Sequence, residues 1–107
     1  MVEEVSDLVY KVVSEIPKGM VLTYGQIAKE VSSYGKNVSP RLVGRILHLN
    51  PDPKKIPCYR VVFKDGSLSE KFAFGGVGVQ RERLLSEGVS FDKNGKVRLD
   101  VCLWRRK

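Results

Sequence analysis

A chain of 107 residues is the size of one domain, and 42% apolar with 29% charged residues can bury a core without disulfide staples, which excludes wholesale disorder. No apolar run approaches the roughly 18 residues of a membrane span, and the acidic start at Glu3 and Glu4 is unlike a signal peptide, so the expectation is a soluble intracellular protein, in cytoplasm, nucleoid or nucleus. Nineteen Lys and Arg against twelve Asp and Glu give a net charge of +7, a balance found in small nucleic-acid-binding domains and in plain basic proteins alike.

Val5, Leu8, Val9, Val12, Val13 and Ile16 recur at helical spacing and predict a first helix, stopped by Ile16-Pro17-Lys18-Gly19. Met20-Val21-Leu22 is long enough only for a small strand or turn. Thr23 and Gln26 have capping-box spacing and open a second helix, whose inner face is Ile27, Ala28 and Val31. Ser32-Ser33-Tyr34-Gly35 ends it. Ser39-Pro40 opens a third helix, with Ser as N-cap and Pro at the first helical position, running to about Leu49. Its buried side is Leu42, Val43, Ile46, Leu47 and Leu49, while Arg41, Arg45 and His48 share the other face. Two short helices around a polar turn, the second of them basic, suggest a helix-turn-helix unit; a merely solvated basic face is the alternative.

Residues 51–57 form a Pro-punctuated connector. Cys58 to Phe63 reads as a short strand with Lys64-Asp65-Gly66 as its turn, and residues 67–78 as a Gly- and Phe-rich loop. A helix from about Val79 to Ser86 ends near Gly88, and Asp92-Lys93-Asn94-Gly95 is the turn of a terminal hairpin. There is no internal repeat or composition break, so residues 1–107 read as a single domain.

Cys58 is the candidate nucleophile: Pro57 before it stiffens the backbone, an apolar run follows, and its reactive thiolate form needs a base or positive potential nearby. A buried core cysteine is the competing reading. Cys102, next to Leu103 and Trp104, reads as core. Two distant cysteines and one histidine argue against a structural zinc site.

The ordered set Ile16-Pro17-Lys18-Gly19, Thr23-Tyr24-Gly25-Gln26-Ile27-Ala28, Arg41-Leu42-Val43-Gly44-Arg45, Asn50-Pro51, Ile56-Pro57-Cys58-Tyr59-Arg60-Val61-Val62, Asp65-Gly66-Ser67-Leu68, Leu84-Leu85-Ser86-Glu87-Gly88 and Leu103-Trp104 resembles the DNA-binding and active-site domain of the O6-alkylguanine-DNA alkyltransferases, the methylated-DNA–protein-cysteine methyltransferases. The resemblance spans nearly the whole chain. It implies a mainly helical, winged-helix-like helix-turn-helix domain with a small β element. The implied activity is single-turnover DNA repair by direct reversal: a monomer binds the minor groove of double-stranded DNA and flips O6-alkylguanine into a pocket. The alkyl group passes irreversibly to the cysteine, without metal or organic cofactor.

The resemblance also implies roles. Cys58 is the alkyl acceptor. Tyr24 lies near the DNA backbone, helps rotate the nucleotide and supplies a proton to the leaving guanine; otherwise it is a packing residue. Arg41 is the finger that fills the vacated stack, Gly44 lets the helix approach the minor groove, and Arg45 meets phosphate or solvent. Asn50 is the hinge between the recognition helix and the active-site turn. Pro53 and the Val61 backbone line the pocket, and Glu87 belongs to the relay that activates the thiol.

Three features depart from the pattern. Tyr59 stands where the family has His in Pro-Cys-His-Arg; a phenol with a pKa near 10 is a poor base, though it can link a water to Glu87. Phe72-Ala73-Phe74-Gly75-Gly76 stands where a Tyr/Ser-containing segment is usual, and Phe74 is either the ring that stacks on the base or core. The chain also starts only about fifteen residues before the shared region, as expected of a minimal version or an excised domain. The alternative function is that of the alkyltransferase-like proteins, which lack the acceptor cysteine, flip the lesion and recruit other repair factors.

Overall fold

Helix α1 (Val5–Ser14) buries Leu8, Val9, Val12 and Val13, the stripe its spacing predicts. The computed structural model of the chain describes residues 5–69 and 76–105. Strand β1 (Leu22–Thr23) leads directly into α2 (Tyr24–Ser32). Thr23 accepts from the Gln26 backbone N–H while the Gln26 side chain accepts from the Thr23 N–H, so both halves of the capping box form. Helix α3 (Pro40–His48) starts at the Ser39 cap, whose hydroxyl accepts from the Leu42 N–H. Helices α1, α2 and α3 close around Ile16, Ile27, Val31, Val43 and Leu47, and α2 with α3 forms the helix-turn-helix pair.

After the connector the chain makes a 3-10 turn (Cys58–Arg60) and then β2 (Val61–Val62). The expected strand from Cys58 to Phe63 is thus only two residues long. Pro57 has no N–H to give a ladder, and the Cys58 and Arg60 N–H groups turn inward to the Ile56 and Pro57 carbonyls. β2 pairs parallel with β1, Leu22 opposite Val61 and Thr23 opposite Val62. The turn that follows needs Gly66: its φ is +88°, and a Cβ there would overlap the Val97 carbonyl oxygen.

Helix α4 (Gly76–Ser86) starts three residues earlier than the sequence predicts. The terminal hairpin reduces to one bridge, Phe91 with Val97, because the backbone then turns into α5 (Leu99–Cys102), which the sequence reading missed. A second cluster, of Val21, Val62, Leu68, Leu84, Val89, Val97 and Cys102, gathers these pieces. Cys102 is core, as expected. Leu49 is corrected: assigned to the buried side of the third helix, it is 71% exposed. It falls at the C-cap, with φ −99° and ψ 17°, where helical periodicity no longer sets the side-chain direction. Among the described residues no helix is long and apolar enough to cross a membrane.

Candidate active site and nucleic-acid interface

The 3-10 turn holds Cys58 only 5% exposed, packed against the α1–α3 core. Behind it Asn50, 6% exposed, closes the connector like a staple. Its amide nitrogen donates to the Ile56 carbonyl at 2.7 Å and its oxygen accepts from the Asp52 N–H at 2.9 Å. Burial pushes the Cys58 thiol above its ordinary pKa; the Asn50 side chain, the backbone and the positive charge of Arg83 act in the opposite direction.

Tyr24, on the first turn of α2, faces the same region. Its ring lies 5.1 Å from the Phe63 ring. A Cβ at Gly44 would touch it at 3.7 Å, so α3 approaches the ring closely at that glycine. Burial raises the Tyr24 phenol above the usual tyrosine range, a hydrogen bond from the Ser69 side chain offsets part of this, and a charged Cys58 adds to it. Beside Tyr24 opens a cleft of about 380 Å³ lined by Gly25, Pro40, Phe63, Lys64, Asp65 and Ser67.

Gln80 completes this side, and sequence reasoning missed it. It is fully buried. Its nitrogen donates to the Tyr59 and Val61 carbonyls, at 3.1 and 3.0 Å, and its oxygen accepts from the Ser69 N–H at 3.2 Å. A lone Gln on a helix gives no sign in the sequence that three backbone partners will converge on it.

Tyr59 points the other way. Its hydroxyl donates to Glu87 Oε2. Arg60 grips the same carboxylate with both Nε (2.9 Å, to Oε1) and Nη2 (2.6 Å, to Oε2), and its Nη1 donates to the Ile16 carbonyl at 2.7 Å. The Arg60 and Glu87 side chains are 15% and 8% exposed. Burial pulls the Glu87 pKa up, but the hydrogen bonds from Arg60 and Tyr59 outweigh it and hold the carboxyl below its ordinary range. The Tyr59 phenol is raised, by burial first and then by Glu87. A carboxylate so engaged is a weak base. The structure therefore joins Tyr59 to Glu87 as expected, and adds Arg60 as the partner that occupies both.

On α3, Arg41, Arg45 and His48 are exposed on one face, as the spacing predicts. Pro53 is half-buried in the connector and Val61 is fully buried in β2. Phe74 lies outside the described residues.

A helix-turn-helix unit whose second helix presents basic side chains has the layout of a nucleic-acid-binding domain, here with a cysteine on a tight turn behind it. Residues 4–89 match the model of the 6-O-methylguanine DNA methyltransferase DNA-binding domain, and the chain belongs to that family. It is 39% identical to a bifunctional methyltransferase/endonuclease of Thermoplasma volcanium over 82% of its length, but spans only 26% of that protein. It is 40% identical to a methylated-DNA–protein-cysteine methyltransferase of Methanocaldococcus jannaschii over 86% of its length, spanning 53% of that protein. The crystal structure of Schizosaccharomyces pombe Atl1 with damaged DNA containing O6-carboxymethylguanine superposes with a TM-score of 0.77 at 33% identity, covering 99% of each chain. Relatives thus include methyltransferases and alkyltransferase-like proteins.

Proposed function

We propose that this chain repairs DNA by direct reversal, taking the alkyl group of O6-alkylguanine onto Cys58. The observation that carries the reading is the acceptor itself: a cysteine on the 3-10 turn with Asn50 behind it and the Tyr24 phenol facing the same region. The sulfur attacks the alkyl carbon, the bond from that carbon to O6 breaks, and a thioether forms. Cys58 loses its thiol proton and the guanine gains one. Tyr24, whose raised pKa keeps it protonated at neutral pH, gives its phenol proton to the leaving base, and the proton released by Cys58 restores the phenol, so no net charge is left. No cofactor enters the balance.

Double-stranded DNA lies along the exposed face of α3, its minor groove against Gly44. Arg41 enters the stack, Arg45 neutralises phosphate, and Asn50, Pro53 and the Val61 backbone shape the pocket. Tyr59 and Glu87 support the turn rather than move the thiol proton, because Arg60 already saturates the carboxylate. A second reading, a lesion-binding module without transfer, is supported by the end-to-end match with Atl1.

Intact mass after incubation with a duplex containing O6-methylguanine decides between them. The expected result is the gain of one methyl group, mapped to Cys58 and absent in Cys58→Ala, which still binds the duplex. Tight binding with unchanged mass, or methylation of Cys102, overturns the proposal.

A further inference from the structure

Gln80 does for the acceptor turn what a third strand would do for a sheet. Among the described residues the sheet has two strands, β1 and β2. The Tyr59 and Val61 carbonyls both accept from the Gln80 side-chain nitrogen, at 3.1 and 3.0 Å, where a further strand would otherwise supply the donors. The Gln80 oxygen accepts from the Ser69 N–H at 3.2 Å. Val61 carries the link onward, since its N–H donates to the Cys58 carbonyl. A chain of bonds thus runs from α4 through Val61 to the cysteine. Gln80 and Val61 are fully buried, so these groups have no water to turn to once a partner is removed. Glu87, just past the end of α4, holds the Arg60 side chain, whereas Gln80 holds the backbone on either side of Arg60.

We propose that Gln80 is a positioning residue for alkyl transfer: it fixes the backbone of the acceptor turn so that the Cys58 sulfur stands in line with the alkyl carbon of the flipped base. The role deepens the transferase reading and rests on it for its catalytic consequence. Displacement at carbon needs the sulfur, the carbon and O6 in line, and about 1 Å of misplacement can cost as much as a hundredfold. Gln80 has no exposed surface to meet DNA, and its bonds go to backbone groups rather than to the thiol. Its loss should therefore change the rate within the bound complex and leave the affinity for DNA alone.

Gln80→Met fills the same space without donors or acceptor. In single-turnover transfer on a duplex containing O6-methylguanine, its rate at saturating protein should fall about ten- to hundredfold. The protein concentration that gives half the maximal rate should stay the same. A loss of stability alone, in a variant that is still folded, would not move the saturating rate, and an unchanged saturating rate overturns the proposal. Gln80→Glu has the same size, keeps an acceptor for the Ser69 N–H and loses at least one donor. It should act in the same direction, and it takes the place of Gln80→Met where that variant does not fold.

The two buried cysteines report on the turn without any transfer reaction. Cys58 and Cys102 are 5% and 4% exposed, so iodoacetamide reaches either one only when its surroundings open. Losing two bonds to the acceptor turn should speed alkylation of Cys58 about tenfold or more and leave Cys102, which Gln80 does not bond, unchanged. Equal acceleration at both cysteines would mean general loosening and overturn the proposal. In the wild type, hydrogen exchange should show the Ser69 amide protected although Ser69 lies outside helix and strand; an unprotected Ser69 overturns the proposal with no variant needed. A wild type that transfers nothing, while Gln80→Met still frees Cys58 alone, sinks the transferase reading and leaves the hold on the turn standing.

Discussion

Cys58 and Tyr59 are neighbours in sequence and belong to different halves of the molecule. Cys58 packs into the α1–α3 core, with Asn50 behind it and the Tyr24 phenol nearby. Tyr59 packs with the second cluster, under α4, and its hydroxyl joins the Arg60–Glu87 pair. The 3-10 turn separates them: its tight pitch sends successive side chains about 120° apart. On one side lie a thiol and a phenol whose protonated forms burial favours. On the other lies a closed ion pair. The first arrangement is the one to which the proposed reaction assigns proton transfer; the second holds the turn in place and ties it to the end of α1 through the Ile16 carbonyl.

Breaking the closed side should have the largest effect on stability. Arg60→Ala leaves Glu87 nearly buried without its cation and should cost about 3–5 kcal/mol, read by urea denaturation. The Glu87 pKa is lowered on folding, so the stabilisation from this carboxylate is present above the ordinary glutamate pKa of about 4.3 and is lost as pH falls further, through the folded value. Stability measured from pH 6 to pH 3 should therefore fall less steeply in Glu87→Gln than in the wild type; parallel curves would refute the pair's contribution.

Asn50→Ala should come next, at about 2 kcal/mol, because it strips a partner from the Ile56 carbonyl and the Asp52 N–H. It should also raise the thiol pKa, since the Asn50 side chain favours the thiolate. Tyr59→Phe removes one hydrogen bond to a carboxylate and should cost about 1–2 kcal/mol, while alkyl transfer changes by less than about threefold. A drop of a hundredfold would mean that the phenol is part of the proton path after all, and the contrast between the two sides would collapse.

Helices α1 to α3 were legible because each carried a local signal: the apolar spacing of α1, the capping box of α2, the Ser-Pro start of α3. The position of Cys58 on a turn was not, because Pro57 and the inward N–H groups decide it, and an apolar run looks the same whether it forms six strand residues or two. Among the site residues, the exposed basic face of α3 followed from spacing alone. Gln80 and the double grip of Arg60 on Glu87 did not, because both depend on bringing together residues 11 to 27 positions apart. Glu87 itself could be named only through the resemblance to a family, since a carboxylate at a helix end has no distinguishing pattern.

Arg83 should produce the smallest effect and the sharpest test of the open side. Its guanidinium lies over the Tyr59 ring, 5.6 Å from the ring centre, and its charge acts on the Cys58 thiol. A fixed positive charge favours the thiolate and so lowers the thiol pKa; removing it must raise that pKa. Arg83 is exposed, so solvent weakens the effect. Arg83→Gln should move the midpoint of iodoacetamide alkylation upward by less than about one pH unit, slowing the reaction at neutral pH by at most about tenfold. Arg83→Lys keeps the charge and should recover most of the rate. The two curves should meet at high pH, where every thiol is ionised, and should converge at about 1 M salt, where the screening length shrinks to roughly 3 Å. A midpoint that does not move in Arg83→Gln would leave Asn50 and the backbone as the groups that offset burial at Cys58.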